Sequence, residues 1–386
     1  MIVATTREDP AVETRVAISP ETAKKYSTLG ASVMVEAGAG LASGFADKDY
    51  EAAGATIVTS AREALSGADI VVKVRRPSAG ELADMKKGAL VIAVMDPHGH
   101  QDALQGMAGA GVDAFAMELL PRITRAQVMD VLSSQANLAG YRAVIDAAAE
   151  YGRALPMMMT AAGTVPAARI FIMGAGVAGL QAVATARRLG GVVTATDVRP
   201  AAKEQVESLG AKFVAVEDEE FKQAETAGGY AKEMSDAYKA KQAELVASHI
   251  AKQDIVVTTA LIPGRPAPKL VSAAMVASMK QGSIVVDLAV ERGGNVEGAK
   301  FGETVVTANG VKIVGYANMP GRLAASSSAL YAKNLYAFVE TLIDKASRSL
   351  AVKWDDELVK ATLLTKDGAV VHPSFAPKPA EAAAGA

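Results

Sequence analysis

At about 150 residues per domain, a chain of 386 residues calls for two or three folding units, and two is the simpler expectation. Half of it is hydrophobic but only 5% aromatic, with 34 glycines; small residues suit close packing of helices on sheets and exclude a disordered or fibrous chain. Forty basic against 42 acidic residues leave a net charge of -2, too little to hold nucleic acid or an anionic lipid surface, and the absence of cysteine excludes disulfides, thiolate metal sites and a thiol nucleophile while fitting a reducing cytoplasm.

In chain order, Met1 to Pro10 lacks the basic and apolar regions of a signal peptide and opens on a strand. Short β-branched runs then alternate with helical patterns: Ile2 to Thr5, Val33 to Glu36, Thr56 to Val58, Ile70 to Val74, Leu90 to Val94 and Asp113 to Met117. Such alternation implies a parallel sheet. From Ser133 to Arg153, Leu138, Tyr141, Ile145 and Ala148 recur as one apolar face of a long helix, which Pro156 ends. A second strand series follows at Arg169 to Met173, Val192 to Asp197, Ala211 to Val216, Ile255 to Thr259, Ser283 to Leu288 and Val311 to Val314. Leu330, Leu335, Phe338, Leu342 and Ile343 mark another amphipathic helix, after which Trp354 to His372 returns to a mixed pattern. No apolar run approaches the roughly 18 uncharged residues of a membrane-spanning helix, so proton movement across a bilayer is not expected of this chain.

The economical arrangement builds the first domain from 1–135 and 325–375 and inserts a second, 136–324, between those parts. Two long helices bracket the insertion, a cleft lies at the crossover, and the low-complexity tail 376–386 is disordered.

The chemistry concentrates at two places. Ile170-Phe171-Ile172-Met173 runs into Gly174-Ala175-Gly176-Val177-Ala178-Gly179 and then into a helix. In such a turn the first glycine permits the tight bend, the second lets a pyrophosphate approach the backbone, and the third lets helix and strand pack closely; the phosphates meet a helix N-terminus. The following strand ends at Asp197, 197 - 179 = 18 residues past the third glycine, where an acid accepts the adenosine ribose hydroxyls and repels a 2′-phosphate. NAD is therefore expected over NADP, with Arg199 blunting the preference. The fold class is α/β, two Rossmann-like domains with parallel sheets. The plainer alternative makes this a glycine-rich turn with Asp197 as a helix cap.

The second place is Leu119 to Gln135, which concentrates Arg, Gln, Asp and Ser. Those groups could hold a carboxamide; equally, they could form a polar turn with Ser133 or Ser134 capping the helix. Elsewhere Gly38 to Gly44 reads as an ordinary loop, Asp96, His98 and His100 as a surface loop and not a metal site, Met157 to Met159 as adaptable packing, and Arg75-Arg76 as a solvated pair.

Arg122 through Ala148, Met157 to Pro166, the glycine fingerprint, Thr226-Ala227-Gly228-Gly229-Tyr230-Ala231-Lys232-Glu233-Met234 and Thr259-Ala260-Leu261-Ile262-Pro263-Gly264 closely resemble the NAD(H)-binding component of proton-translocating nicotinamide nucleotide transhydrogenase, over nearly the whole chain. The resemblance implies a homodimeric subunit at the cytoplasmic face of the inner membrane, docked on α2 and β subunits that carry the NADP(H) site and proton channel. It places Arg122, Ile123, Thr124, Arg125, Gln127, Asp130 and Ser133 about the nicotinamide and its carboxamide. Gly174, Gly176, Val177, Ala178, Gly179, Asp197, Val198 and Arg199 would hold pyrophosphate and adenosine, with Gly229, Gln242, Ala260 and Leu261 lining the adenosine side. Tyr230 would ride a loop that closes over bound nucleotide and join Arg122, Gln127, Asp130 and Ser133 in the catalytic set. The stretch Glu217 to Gln253 is longer than one crossover helix requires, and Gly228-Gly229 offers a hinge.

Alanine dehydrogenases share this architecture, and Arg15-Val16 and Lys73 resemble their substrate-binding residues. They also need a histidine after the Leu90 to Val94 strand, since a keto acid requires a proton donor. That position falls on Asp96, with His98 and His100 nearby. Hydride exchange between two nicotinamides needs no acid or base, so this departure favours transhydrogenase chemistry, provided His98 does not substitute.

Overall fold

The computed structural model describes residues 1–224, 234–262 and 264–377. The predicted Gly229 and Tyr230, the Gly228-Gly229 hinge and most of the 376–386 tail lie outside the described residues. The chain divides into two compact units, Met1–Gln135 with the chain from Gly321 onward, and Ala136–Pro320.

In the first unit the strands β1 (Ile2–Thr5), β2 (Ser32–Glu36), β3 (Thr56–Val58), β4 (Ile70–Arg75), β5 (Leu90–Val94) and β6 (Asp113–Ala116) pair in parallel in the order β3-β2-β1-β4-β5-β6. Both faces are covered, as a parallel sheet requires. The period of two divides them: Val3, Val33, Val35, Ile70, Val72, Ile92 and Phe115 face one core, while Ala4, Val71, Val91, Ala93, Ala114 and Ala116 face the other. Tyr331, Leu335, Phe338 and Leu342, all buried, close the first face from the Ala324–Thr341 helix and its end. Two expected members of that stripe differ: Leu330 is 42% exposed, and Ile343 begins a short antiparallel ribbon with residues 349–350.

The second unit opens on an antiparallel hairpin, β7 (Met158–Thr160) with β8 (Gly163–Val165). Its methionines are not packing material: Met157, Met158 and Met159 are 61%, 43% and 78% exposed. A sheet follows, of β9 (Arg169–Met173), β10 (Val192–Thr196), β11 (Lys212–Phe213), β12 (Ile255–Thr258), β13 (Ile284–Asp287), β14 (Thr304–Val306) and β15 (Lys312–Val314), in the order β11-β10-β9-β12-β13-β15-β14. All pairs are parallel except β14 with β15. That antiparallel edge strand is not among the strands expected from the sequence, and its short Thr-Val-Val run explains why.

The first bracketing helix spans Val131–Glu150. Its buried face is Ala139, Ala143, Val144 and Ala147, not the predicted Leu138, Tyr141, Ile145 and Ala148; Tyr141 is 39% exposed. Close packing selects the small side chains, and Gly140 shows how close: a Cβ there would lie 2.0 Å from the Ala178 carbonyl oxygen.

Candidate functional site

β9 ends at Met173 and the chain turns through Gly174 to Gly176 into the Val177–Arg188 helix. The three glycines answer different demands. Gly174 has φ +103, and a Cβ there would lie 2.5 Å from Thr259 Oγ1; a Cβ at Gly179 would lie 1.8 Å from the Gly174 carbonyl oxygen. Both are required by the protein's own packing. Gly176 is not: its φ of -75 suits any residue, and a Cβ would meet nothing within 4 Å. It is the N-cap of a 12-residue helix with no side-chain cap and no acid in the first turn. An open backbone at an uncapped helix N-terminus fits a pyrophosphate.

Asp197 follows β10 and stands beside this turn. Its Oδ2 accepts the Ala175 N–H at 2.7 Å and Arg199 Nη2 at 3.1 Å; its Oδ1 accepts the Arg199 N–H and Nε, both at 2.9 Å. Arg199 Nη2 also donates to the Ala175 carbonyl. The structure thus brings Asp197, Arg199 and the glycine turn together. Gln242 pins the neighbouring strand ends, accepting the Val216 N–H and donating to Thr196 Oγ1. Val198 and Leu261 are exposed, Ala178 and Ala260 half-buried. Thr259 donates its hydroxyl to the Gly174 carbonyl at 3.1 Å, a contact that strand and turn signals do not disclose.

In the first unit Thr124–Met129 forms a 3-10 helix anchored by buried Ala126 and Met129. Arg122, Thr124, Gln127 and Val128 are exposed on it or beside it, and Ile123 is half-buried. Asp130 caps the following helix, accepting the Ser133 N–H at 2.9 Å and its hydroxyl at 2.5 Å. Neither Ser133 nor Ser134 is the cap; Ser134 instead donates to Asn334, whose amide donates to the Val128 carbonyl. Asn334 gives no signal in the sequence, being one polar residue on an amphipathic helix. Arg125 turns to Asp356 in a two-pronged ion pair at 2.7 and 2.8 Å, with Glu357 at 3.4 Å.

The residues resembling a keto-acid site are differently employed. A bulge in β4 between Val72 and Arg75 turns Lys73 inward, where it is 2% exposed. Its ammonium donates to Thr6 Oγ1 at 2.8 Å and Glu81 Oε1 at 2.7 Å, with Glu8 at 3.5 Å. Glu8 also accepts the Val74 and Arg75 N–H groups, and Tyr331 donates to the Lys73 carbonyl. Arg15 grips both oxygens of fully buried Glu13 and donates to Gln135. Burial pushes Glu8 and Glu81 up; at Glu81 Lys73, Thr6 and the Ser78 N–H outweigh it and its pKa ends below 4.5, whereas Glu8 stays above. Arg75 pairs with Glu13, and Arg76 donates to the Met95 and Asp96 carbonyls, so this is not a merely solvated pair. His98 lies edge-on against Phe375 at 5.0 Å.

Residues 4–139 match the model of the alanine dehydrogenase/PNT N-terminal domain and 143–373 that of its C-terminal domain. An NAD(P) transhydrogenase subunit alpha chain of Rhodospirillum rubrum is 54% identical, covering 97% of this chain and 99% of that protein. The crystal structure of transhydrogenase from Sinorhizobium meliloti superposes with a TM-score of 0.88 at 62% identity, over 96% of this chain and 100% of that one. A structure of L-alanine dehydrogenase follows at 0.80 and 26%, over 97% and 98%. The chain belongs to the alanine dehydrogenase/PNT family, on its NAD(P) transhydrogenase subunit alpha branch.

Proposed function

We propose that the chain binds NAD(H) and exchanges a hydride between it and NADP(H) held by a partner subunit. The observation that carries this reading is Gly176, an open glycine that no internal packing demands, at an uncapped helix N-terminus beside Asp197. NAD, when bound, supplies the nicotinamide carbon that gives or takes the hydride. The backbone from Gly174 to Gly179 receives the pyrophosphate. Asp197, with Val198 and Arg199, takes the adenosine ribose and turns away a 2′-phosphate, while Gln242, Ala260 and Leu261 line the far side. Arg122, Ile123, Thr124 and Gln127 meet the nicotinamide end, where the Gln127 amide matches a carboxamide in donors and acceptors. Asp130 and Ser133 act as a pair fixed by their mutual hydrogen bonds. Gly229 and Tyr230 are assigned from the resemblance alone.

Hydride passage between two nicotinamides moves no proton at the reacting carbon, so the site needs no general acid. Arg15 and Lys73 agree with this, because their charges are met by Glu13, Glu8 and Glu81 and not left for a keto-acid carboxylate. Relatives named as a subunit alpha support partner subunits, here α2 and β membrane subunits that seat the chain at the cytoplasmic face of the inner membrane. Among the described residues no helix is long and apolar enough to cross a membrane. The exposed, uncharged β7-β8 hairpin supports a homodimer.

The test mixes the chain with the NADP(H)-binding component and follows reduction of an NAD analogue by NADPH, with alanine and pyruvate as control substrates. Transfer that requires both components, with no alanine- or pyruvate-dependent turnover, is expected. Gln127→Ala should slow single-turnover transfer at least tenfold, about 1.4 kcal/mol of transition-state stabilisation, while changing NADH affinity far less. Transfer unaffected by Gln127→Ala would remove that residue from the site.

A further inference from the structure

We propose that Asn295 is a positioning residue for nucleotide binding, holding the segment after β12 in the shape that presents Leu261 to the adenosine half of NAD(H); this rests on the NAD(H) reading above. Asn295 is fully buried. Its Oδ1 accepts the Ala260 N–H at 3.0 Å, and its Nδ2 donates to the Ala260 carbonyl at 2.8 Å and to the Pro268 carbonyl at 2.8 Å. One side chain therefore fixes both polar groups of Ala260, and with them the peptide planes on either side of it. Only an amide can do this at that size, because it combines an acceptor with two donors.

Asn295 is itself anchored from both sides of the chain. Its carbonyl accepts the Leu270 and Val271 N–H groups. The next residue, Val296, donates its N–H to Asp287 Oδ2 at 3.0 Å, and Asp287 is a fully buried carboxylate at the end of β13. On the other side of Ala260, the Thr259 N–H bonds the Met173 carbonyl and its hydroxyl bonds that of Gly174. Thr259 and Ala260 are thus pinned between the glycine turn and β13. The two residues that follow break the pattern: Leu261 and Ile262 are 54% and 45% exposed. Large apolar side chains held out by a segment this tightly bonded form a surface for a flat apolar group, as adenine is.

Two substitutions test this. Asn295→Ser removes the paired contact with Ala260, and Leu261→Ala trims an exposed side chain whose loss does not threaten folding. Dissociation constants for NADH and for 5′-AMP are measured by calorimetry, with circular dichroism melting as the check on folding. Transfer rates at saturating NADH are measured in the reconstituted system. Asn295→Ser is expected to weaken NADH and 5′-AMP in equal proportion, on the order of tenfold, with the maximal rate held within about twofold. Leu261→Ala is expected to weaken both ligands together. A role confined to stability would lower the melting temperature and leave both affinities of the folded protein unchanged. That result, or unchanged affinities in Leu261→Ala, overturns the proposal. Failure of the unsubstituted chain to bind either ligand overturns the NAD(H) reading as well, so the two failures are told apart.

Discussion

Asp197 has its acceptor capacity filled by the chain itself. A carboxylate offers about four lone-pair sites, and Ala175 N–H, Arg199 N–H, Nε and Nη2 occupy them. Two of these donors are backbone and cannot leave without unfolding the turn. A ribose must therefore displace the Arg199 guanidinium, which is 30% exposed and has room to move. While it is near, that cation also offsets the repulsion Asp197 exerts on a 2′-phosphate. At an effective dielectric of about 20 a unit charge several Å away is worth a few kcal/mol at most, and partial exposure lowers it to about 1. Arg199→Gln should consequently widen the ratio of NADPH to NADH dissociation constants by about fivefold, measured by competition against a fluorescent nucleotide. An unchanged ratio would mean the guanidinium already lies clear of the 2′ position. The acid itself is legible in the sequence, because strand length and helix length fix its distance from the glycines. Its occupation by Arg199 is not, since contact between residues two apart depends on the backbone of the bend between them.

At the scale of elements, the periodicity at Ser133 to Arg153 announces a helix but misassigns its face. Apolar size governs that kind of reading, and it favours Leu138, Tyr141 and Ile145 over alanines. The structure buries Ala139, Ala143, Val144 and Ala147 because the Val131–Glu150 helix comes within backbone contact of the fingerprint helix at Gly140. Ala178, the residue it meets, is the second of that helix. A methyl at position 140 would meet a carbonyl and not a yielding side chain, so one helix must shift. Gly140→Ala should cost about 1–3 kcal/mol in urea unfolding and weaken NADH, because the shift falls on the turn that receives pyrophosphate. Gly109→Ala is the matched control: Gly109 is also helical, and a Cβ there meets nothing within 4 Å, so it should stabilise by up to about 1 kcal/mol. Equal losses in the two variants would dismiss the close approach as the cause. The parallel strands are legible since burial on both faces produces continuous β-branched runs; the β14 edge and the hairpins are not, being two or three residues long.

For the molecule as a whole, the conspicuous loose end is the β7-β8 hairpin. Three methionines in succession have no period, so sequence alone offers only adaptable packing, and the partner they pack against lies outside one chain's described residues. Met157 to Val165 carries no charge, its methionines are the most exposed apolar run in the chain, and its ladder pairs only with itself among the described residues. A two-stranded ribbon is marginal in water on its own, and its open edges invite further strands. A second copy answers both needs at once, because a two-fold axis sets one hairpin against its equivalent and each copy covers the other's methionines. Met157→Asp with Met159→Asp would put four like charges into such an interface. Sedimentation equilibrium at micromolar concentration should then find the mass of one chain, where the unsubstituted protein has that of two. NADH affinity should stay within about twofold, as neither methionine touches the fingerprint turn. A double variant that still sediments as a dimer would assign the contact to another surface, and the hairpin would then have to be covered by one of the partner subunits.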